Sequence, residues 1–192
     1  MSKHSSSSLR SRALLPRGAH ALLQTLLGAV VSSGAAVAVD PPPVATILPR
    51  NPVIEASSPG STTFDYSTTK PRLDVKSTSV RTVIRWDRFD IGVGNEVVFT
   101  LPDARSIAVN RVNCSGSCPN SVISGSLLSN GNVWILNPAG VVFSKGARVD
   151  VAGLLATPAG LDDIKAFATG AADAPIGFTM PANPGLVFVD PG

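Results

Sequence analysis

The chain has 192 residues and a formal charge of +3, room for one ordinary domain with a real core but not for two full-sized ones. A hydrophobic content of 44% excludes wholesale disorder, while 5% aromatic and 15% charged residues with 17 Gly and 16 Pro fit poorly with a helical bundle and point to a turn-rich β protein. The excess charge is N-terminal: Lys3, Arg10, Arg12 and Arg17 precede residue 39 with no acidic residue among them, leaving twelve basic against thirteen acidic groups in the remainder. Such a near-neutral body, with no Lys/Arg stripe, lacks the footprint of a nucleic-acid binder.

Residues 1–38 read as a secretory signal peptide. A basic segment is followed by the apolar run from Ala21 to Val31 and by small residues ending Ala36-Val37-Ala38. Ala36 and Ala38 suit a peptidase cutting before Val39. The alternative is a retained anchor, but Ser32-Ser33-Gly34 weakens the second half of an already short span. Export decides how the only two cysteines, Cys114 and Cys118, are read: in an oxidising compartment a local disulfide is expected, against the alternative of two free thiols. Both histidines, His4 and His20, lie in the segment to be removed, so neither a metal site nor a histidine-based catalytic triad is expected in the mature chain.

Residues 39–46, opening Asp40-Pro41-Pro42-Pro43, read as a stiff spacer. From Thr46 to Thr69 a Pro-, Ser- and Thr-rich text with isolated apolar residues suits short edge strands. Ser79–Trp86 alternates, with Val80, Thr82, Ile84 and Trp86 on one face and Arg81, Val83 and Arg85 on the other, which predicts a half-buried strand. Further strands are expected at 95–101, 105–112, 121–128, 132–136, 141–143 and 147–156, separated by Gly, Asn and Pro corners, and again at 186–189. A short helix is expected over 161–168. Two architectures compete. In a β-sandwich Ser129-Asn130-Gly131 is a hairpin turn; in a parallel β-helix short strands and two- to four-residue corners stack coil upon coil, and strand and connection lengths favour this second reading. Both tryptophans, Trp86 and Trp134, read as core. The apolar strand at 186–189 followed by Gly192 has no polar cap, which predicts a longer natural chain.

Several motifs taken in order, Val83-Ile84-Arg85-Trp86-Asp87-Arg88-Phe89-Asp90-Ile91-Gly92, Asn110-Arg111-Val112, Gly125-Ser126-Leu127, Asn130 to Val141 and Gly153-Leu154-Leu155-Ala156-Thr157, resemble the N-terminal secretion domain of the filamentous haemagglutinin family, and within it the high-molecular-weight adhesin and haemolysin branch. The resemblance covers roughly residues 47–192. It implies a right-handed parallel β-helix with N-terminal capping strands, and a two-partner secretion exoprotein of a Gram-negative bacterium. Such a chain crosses the inner membrane through the general secretion machinery, is recognised in the periplasm by the modules of a dedicated outer-membrane pore transporter, and is released or displayed at the cell surface, where the full-length exoprotein meets host cells. The family's Asn-Pro-Asn-Gly-Ile turn is matched by Asn137, Pro138, Ala139, Gly140 and Val141. Together with Asn110 and Arg111 these are the candidate recognition and turn residues. No catalytic residue and no cofactor are implied.

Two other classes compete. A surface adhesin binding glycans or proteins directly would use exposed aromatic platforms. A polysaccharide-degrading enzyme would need a carboxylate pair, the nearest being Asp162 with Asp163 and Asp87 with Asp90, which read better as surface or capping groups.

Overall fold

A computed structural model describes residues 46–114, 118–170 and 175–191. The expected signal peptide, its expected cleavage residues Ala36 and Ala38 and nearly all of the expected Pro-rich spacer lie outside the described residues. The domain is mostly β-strand with one short helix, and its sheets are largely parallel.

In chain order the strands are β1 (Val53–Ser57), β2 (Thr62–Tyr66), β3 (Arg72–Ser77), β4 (Arg81–Trp86), β5 (Glu96–Thr100), β6 (Ile107–Val112), β7 (Ser121–Ile123), β8 (Ser126–Ser129), β9 (Asn132–Leu136), β10 (Gly140–Phe143), β11 (Arg148–Asp150), β12 (Gly153–Thr157) and β13 (Gly160–Leu161). Helix α1 (Ile164–Thr169), β14 (Phe178–Thr179) and β15 (Leu186–Val189) follow. Three sheets carry the core, in the orders β1-β4-β6-β9-β12, β2-β3-β5-β8-β11 and β7-β10-β15. Within them every pair is parallel except β1 with β4 and β2 with β3. From β7 to β12 the chain visits the three sheets in rotation, so Val141 pairs with Ser121, Arg148 with Ser126 and Gly153 with Asn132, each about 20 residues on.

The corners are set by side chains that bond to backbone. Asn130 Nδ2 donates to Leu101 O while its Oδ1 accepts from Leu101 N, so one amide replaces a peptide pair between successive corners. Asp103 Oδ1 accepts from Arg105 N, Ser106 N and Ser106 Oγ. These bonds, the Ser106 hydroxyl foremost, hold its carboxyl below the usual carboxylate range. Gly125 sits where any Cβ would run into the backbone oxygens of Asn95 and Gly92, so the corner between β7 and β8 rests directly on the preceding one.

Inside the sheets, like positions stack in register: Thr82, Ala108 and Val133, then Ile84, Asn110 and Ile135. Trp86 is fully buried, meets Phe64 and Phe89 edge-on with centroids 5.6 Å away, and donates its Nε1 to Asn110 Oδ1. Burying a residue of this size contributes on the order of 3 kcal/mol.

The structure corrects several expectations. Strand β4 is not half-buried. Arg81, Thr82, Val83 and Ile84 are all buried, because Val83, Val109 and Leu136 on the outer face pack under Leu161 and Phe167 in a second apolar cluster. Val80, expected on the buried face, precedes the strand and is exposed. The segments 121–128 and 147–156 each split into two strands in different sheets, so Ser129-Asn130-Gly131 is a corner between sheets and not a hairpin turn. The helix is shorter and later than its period suggested: Asp163 caps it by accepting from Ala166 N, and the preceding Gly160–Leu161 pairs with Phe178–Thr179 instead. Trp134 is only half-buried and lies on the outer face against Phe167 and Phe178, at 5.5 and 5.8 Å. Alternation alone does not reveal that a later segment returns to cover an outer face.

Candidate functional site

The turn from Asn137 to Val141 joins β9 to β10. Its geometry follows from one buried side chain. Asn137 is 1% exposed. Its Nδ2 donates to Pro119 O and Ser121 Oγ, both at 3.1 Å, and its Oδ1 accepts from Ala139 N at 3.0 Å. The backbone adds Asn137 N to Thr157 O at 3.1 Å and Gly140 N to Asn137 O at 2.8 Å. One residue thereby ties together its own turn, the start of β7, the end of β12 and the connection entering β7. Asparagine suits this place because a single short side chain supplies two donors and an acceptor in one plane.

Gly140 adopts φ +102°, a backbone that L side chains rarely enter, and a Cβ there would meet the backbone of Leu186. Pro138 O accepts from Gly185 N at 2.8 Å, which brings β15 alongside the turn. Pro138 and Ala139 are half-buried; Val141 is fully buried in the core. Asn110 is also fully buried, accepting from Trp86 Nε1 and donating to Ala108 O and Trp134 O. In the folded domain Asn110 and Val141 therefore have no surface to offer a partner. Arg111, one residue on from Asn110, points to the opposite, outer face and pairs with Glu55.

Cys114 and Cys118 are joined by a disulfide, with Cα atoms 5.1 Å apart. Both sulfurs lie against Asn137 Oδ1, at 3.7 Å for Cys114 and 3.3 Å for Cys118. A bonded sulfur has no proton to give, so these are packing contacts that set the disulfide against the turn. The candidate residues thus divide into buried groups (Asn137 in the turn, Val141 in the core and Asn110 within the sheet), a half-exposed surface (Pro138, Ala139, Arg111) and the disulfide against Asn137.

Glu55 and Arg85 complete the surroundings of Arg111; Arg85 lies within the motif that runs from Val83 to Gly92, whereas Glu55 belongs to no motif in the sequence. Glu55 is the residue skipped where the register of β1 shifts from Ile54 opposite Ile84 to Ala56 opposite Val83. Three of the four carboxylates named as catalytic candidates are engaged structurally. Asp163 caps α1, Asp90 accepts from Val122 N and pairs with Arg88, and Asp87 accepts from Asn51.

Residues 54–180 match the family model described as the TPS secretion domain. Two proteins of Haemophilus influenzae named heme/hemopexin-binding protein are each 41% identical to this chain, one over 100 residues covering 52% of it and the other over 105 residues covering 55%. The match spans 11% of either relative's own length. Among solved structures, the HMW1 secretion domain from Haemophilus influenzae aligns with a TM-score of 0.48 and 24% identity, over 55% of this chain and 26% of that one. With the family model matching about two thirds of the chain, turn included, the chain belongs to the TPS secretion-domain family, the N-terminal domain of two-partner secretion exoproteins.

Proposed function

We propose that residues 47–192 are recognised in the periplasm by the modules of a cognate outer-membrane pore transporter, and that they nucleate folding of the exoprotein as a right-handed parallel β-helix during export. On this reading residues 1–38 are a signal peptide removed after Ala38, residues 39–46 are a spacer, and the exoprotein reaches the medium or the cell surface through the periplasm. The observation that carries the reading is the family match spanning the Asn137 turn. The rotation of the chain through three stacks of parallel strands supports the β-helical part. A stack of this kind suits passage through a pore, because each emerging coil finds a template in the one before it.

Asn137 and Gly140 shape the backbone of the turn, Val141 anchors it in the core, Asn110 holds Trp86 and Trp134 within the sheet, and Pro138 and Ala139 in the turn with Arg111 on β6 supply accessible surface. Direct glycan binding has less support, since the ring of Trp134, the one half-exposed tryptophan, is engaged by Phe167 and Phe178.

Co-expression with the cognate transporter tests the proposal: the exoprotein is expected outside the cell only when the transporter is present. Asn137→Ala is expected to lower that release, because it leaves Pro119 O, Ser121 Oγ and Ala139 N without their partner, a loss of about 1–3 kcal/mol. Release at the normal level without the transporter would overturn the reading.

A further inference from the structure

Beside the turn, the outer face of the first sheet opens into a cleft of about 250 Å³ bounded by Glu55, Arg85, Arg111, Cys114 and Pro138. Its charges come from three adjacent strands. Arg85 and Arg111 are register partners on β4 and β6, so two guanidinium groups stand side by side. Like charges directly opposite repel. The repulsion is relieved by Glu55, which the irregularity in β1 aims between them: a bulge turns an extra side chain out of the pleat and toward a chosen target. Arg111 Nη1 pairs with Glu55 Oε2, whereas Arg85 Nε comes only within 3.6 Å of Oε1.

One carboxylate therefore serves two guanidinium groups, and the second is incompletely satisfied. All three side chains are accessible, at 34% for Arg85, 29% for Arg111 and 21% for Glu55. The other residues at the rim are uncharged. In a mature chain with no excess of basic groups, this is a local site of net charge +1 with fork-shaped donors, the geometry that takes a carboxylate bidentately.

We propose that this cleft docks an acidic segment of the transporter's periplasmic modules, the incoming carboxylate pairing with Arg85 and competing with Glu55 for Arg111. Glu55 acts as a resident stand-in that keeps the two arginines parallel until the partner arrives. The proposal rests on the transporter-recognition reading above and gives it a location, the neighbourhood of Pro138, and a chemistry.

The test uses the full exported chain and the purified periplasmic modules of the cognate transporter, with Kd measured by calorimetry across a range of salt concentrations and folding of each variant followed by thermal melting. Arg85→Gln with Arg111→Gln is expected to weaken binding about tenfold or more and to flatten its salt dependence. Glu55→Gln is expected to tighten binding severalfold, because it removes the competitor and raises the cleft charge to +2. A purely structural clamp predicts the reverse or no change. Since losing Glu55 also unties β1, Arg111→Lys provides a second readout: it keeps the charge and the tie but loses the fork, and should weaken binding by a few-fold. Wild-type affinity in both arginine variants, or unchanged or weaker binding in a folded Glu55→Gln chain, would overturn the cleft while leaving transporter recognition standing. No binding by the wild-type chain would remove both.

Discussion

The two edges of the main sheets are finished in opposite ways. At one edge β1 and β2 run antiparallel to their neighbours and close the ladders with polar contacts: Ser58 Oγ accepts from Arg81 N, Thr62 Oγ1 donates to Ser77 Oγ at 2.9 Å, and Tyr66 OH donates to Pro49 O at 2.6 Å. Phe64 turns inward onto Trp86. At the other edge β11, β12 and β15, each with one strand neighbour among the described residues as β1 and β2 also have, run parallel to that neighbour, and Leu154, Leu186, Val187, Phe188 and Val189 stand exposed, Leu186 at 82%. An antiparallel strand interrupts a parallel stack, while an apolar parallel edge is a template for another strand. Direction is thus written into the domain: one end is sealed by antiparallel strands, although Val53 and Ile54 remain partly exposed there, and the other ends in parallel strands with more exposed apolar side chains.

This contrast can be broken most sharply from inside the sealed end. Trp86→Ala removes the side chain that Phe64 and Phe89 pack against and orphans Asn110 Oδ1, and is expected to cost about 3–5 kcal/mol in denaturant unfolding. An effect under 1 kcal/mol would mean that the sealed end contributes little to the folded state. Next in size is the bridge. Cys114→Ser with Cys118→Ser opens a loop of only a few residues, which the loop-entropy argument limits to about 2 kcal/mol. Proton exchange of the Asn137 side-chain amide, followed by NMR, should rise in the same variant as the loop lifts off the turn.

Acid should act on the sealed end first. Asp74 on β3 accepts two bonds from Arg72, which, with the Arg72 charge and despite some burial, hold its carboxyl below its ordinary value; Arg72 also pairs with Glu96 on β5. A carboxyl with a lowered folded-state pKa contributes stability that is present above its unfolded pKa and lost as pH falls through the folded one. The midpoint of unfolding is therefore expected to drop below about pH 4, and Asp74→Asn to flatten that slope. Both groups are partly exposed, so the effect stays under about 1 kcal/mol. The smallest change is expected at the open edge: Phe188→Lys should alter stability by no more than about 0.5 kcal/mol yet reduce concentration-dependent association measured by light scattering.

Much of the fold is legible in the linear text wherever a local rule decides. The strands at 132–136 and 186–189 and the corners at Asn130-Gly131 and Pro138-Ala139-Gly140 follow from β-branched runs and turn residues, whose preferences act over a few neighbours. The turn at Asn137 was visible as a motif, but its importance was not. Its partners Pro119, Ser121 and Thr157 are strangers in sequence, brought together only when the sheets assemble. Glu55 carried one faint signal, a lone charge among the apolar and small residues Val53, Ile54 and Ala56.

By itself the sequence determined the class of the protein: many short strands, corners at Gly and Asn, two cysteines four residues apart, and a secretion-domain pattern running through them. Only the tertiary structure decided which faces are covered, as when Leu161 and Phe167 return over Val83, Val109 and Leu136, and which charges meet, as when Glu55 reaches Arg111 across β4. The physical reason is range. Turn and strand preferences are settled by torsions and immediate neighbours, while burial and ion pairing depend on residues whose proximity exists only after the sheets have assembled.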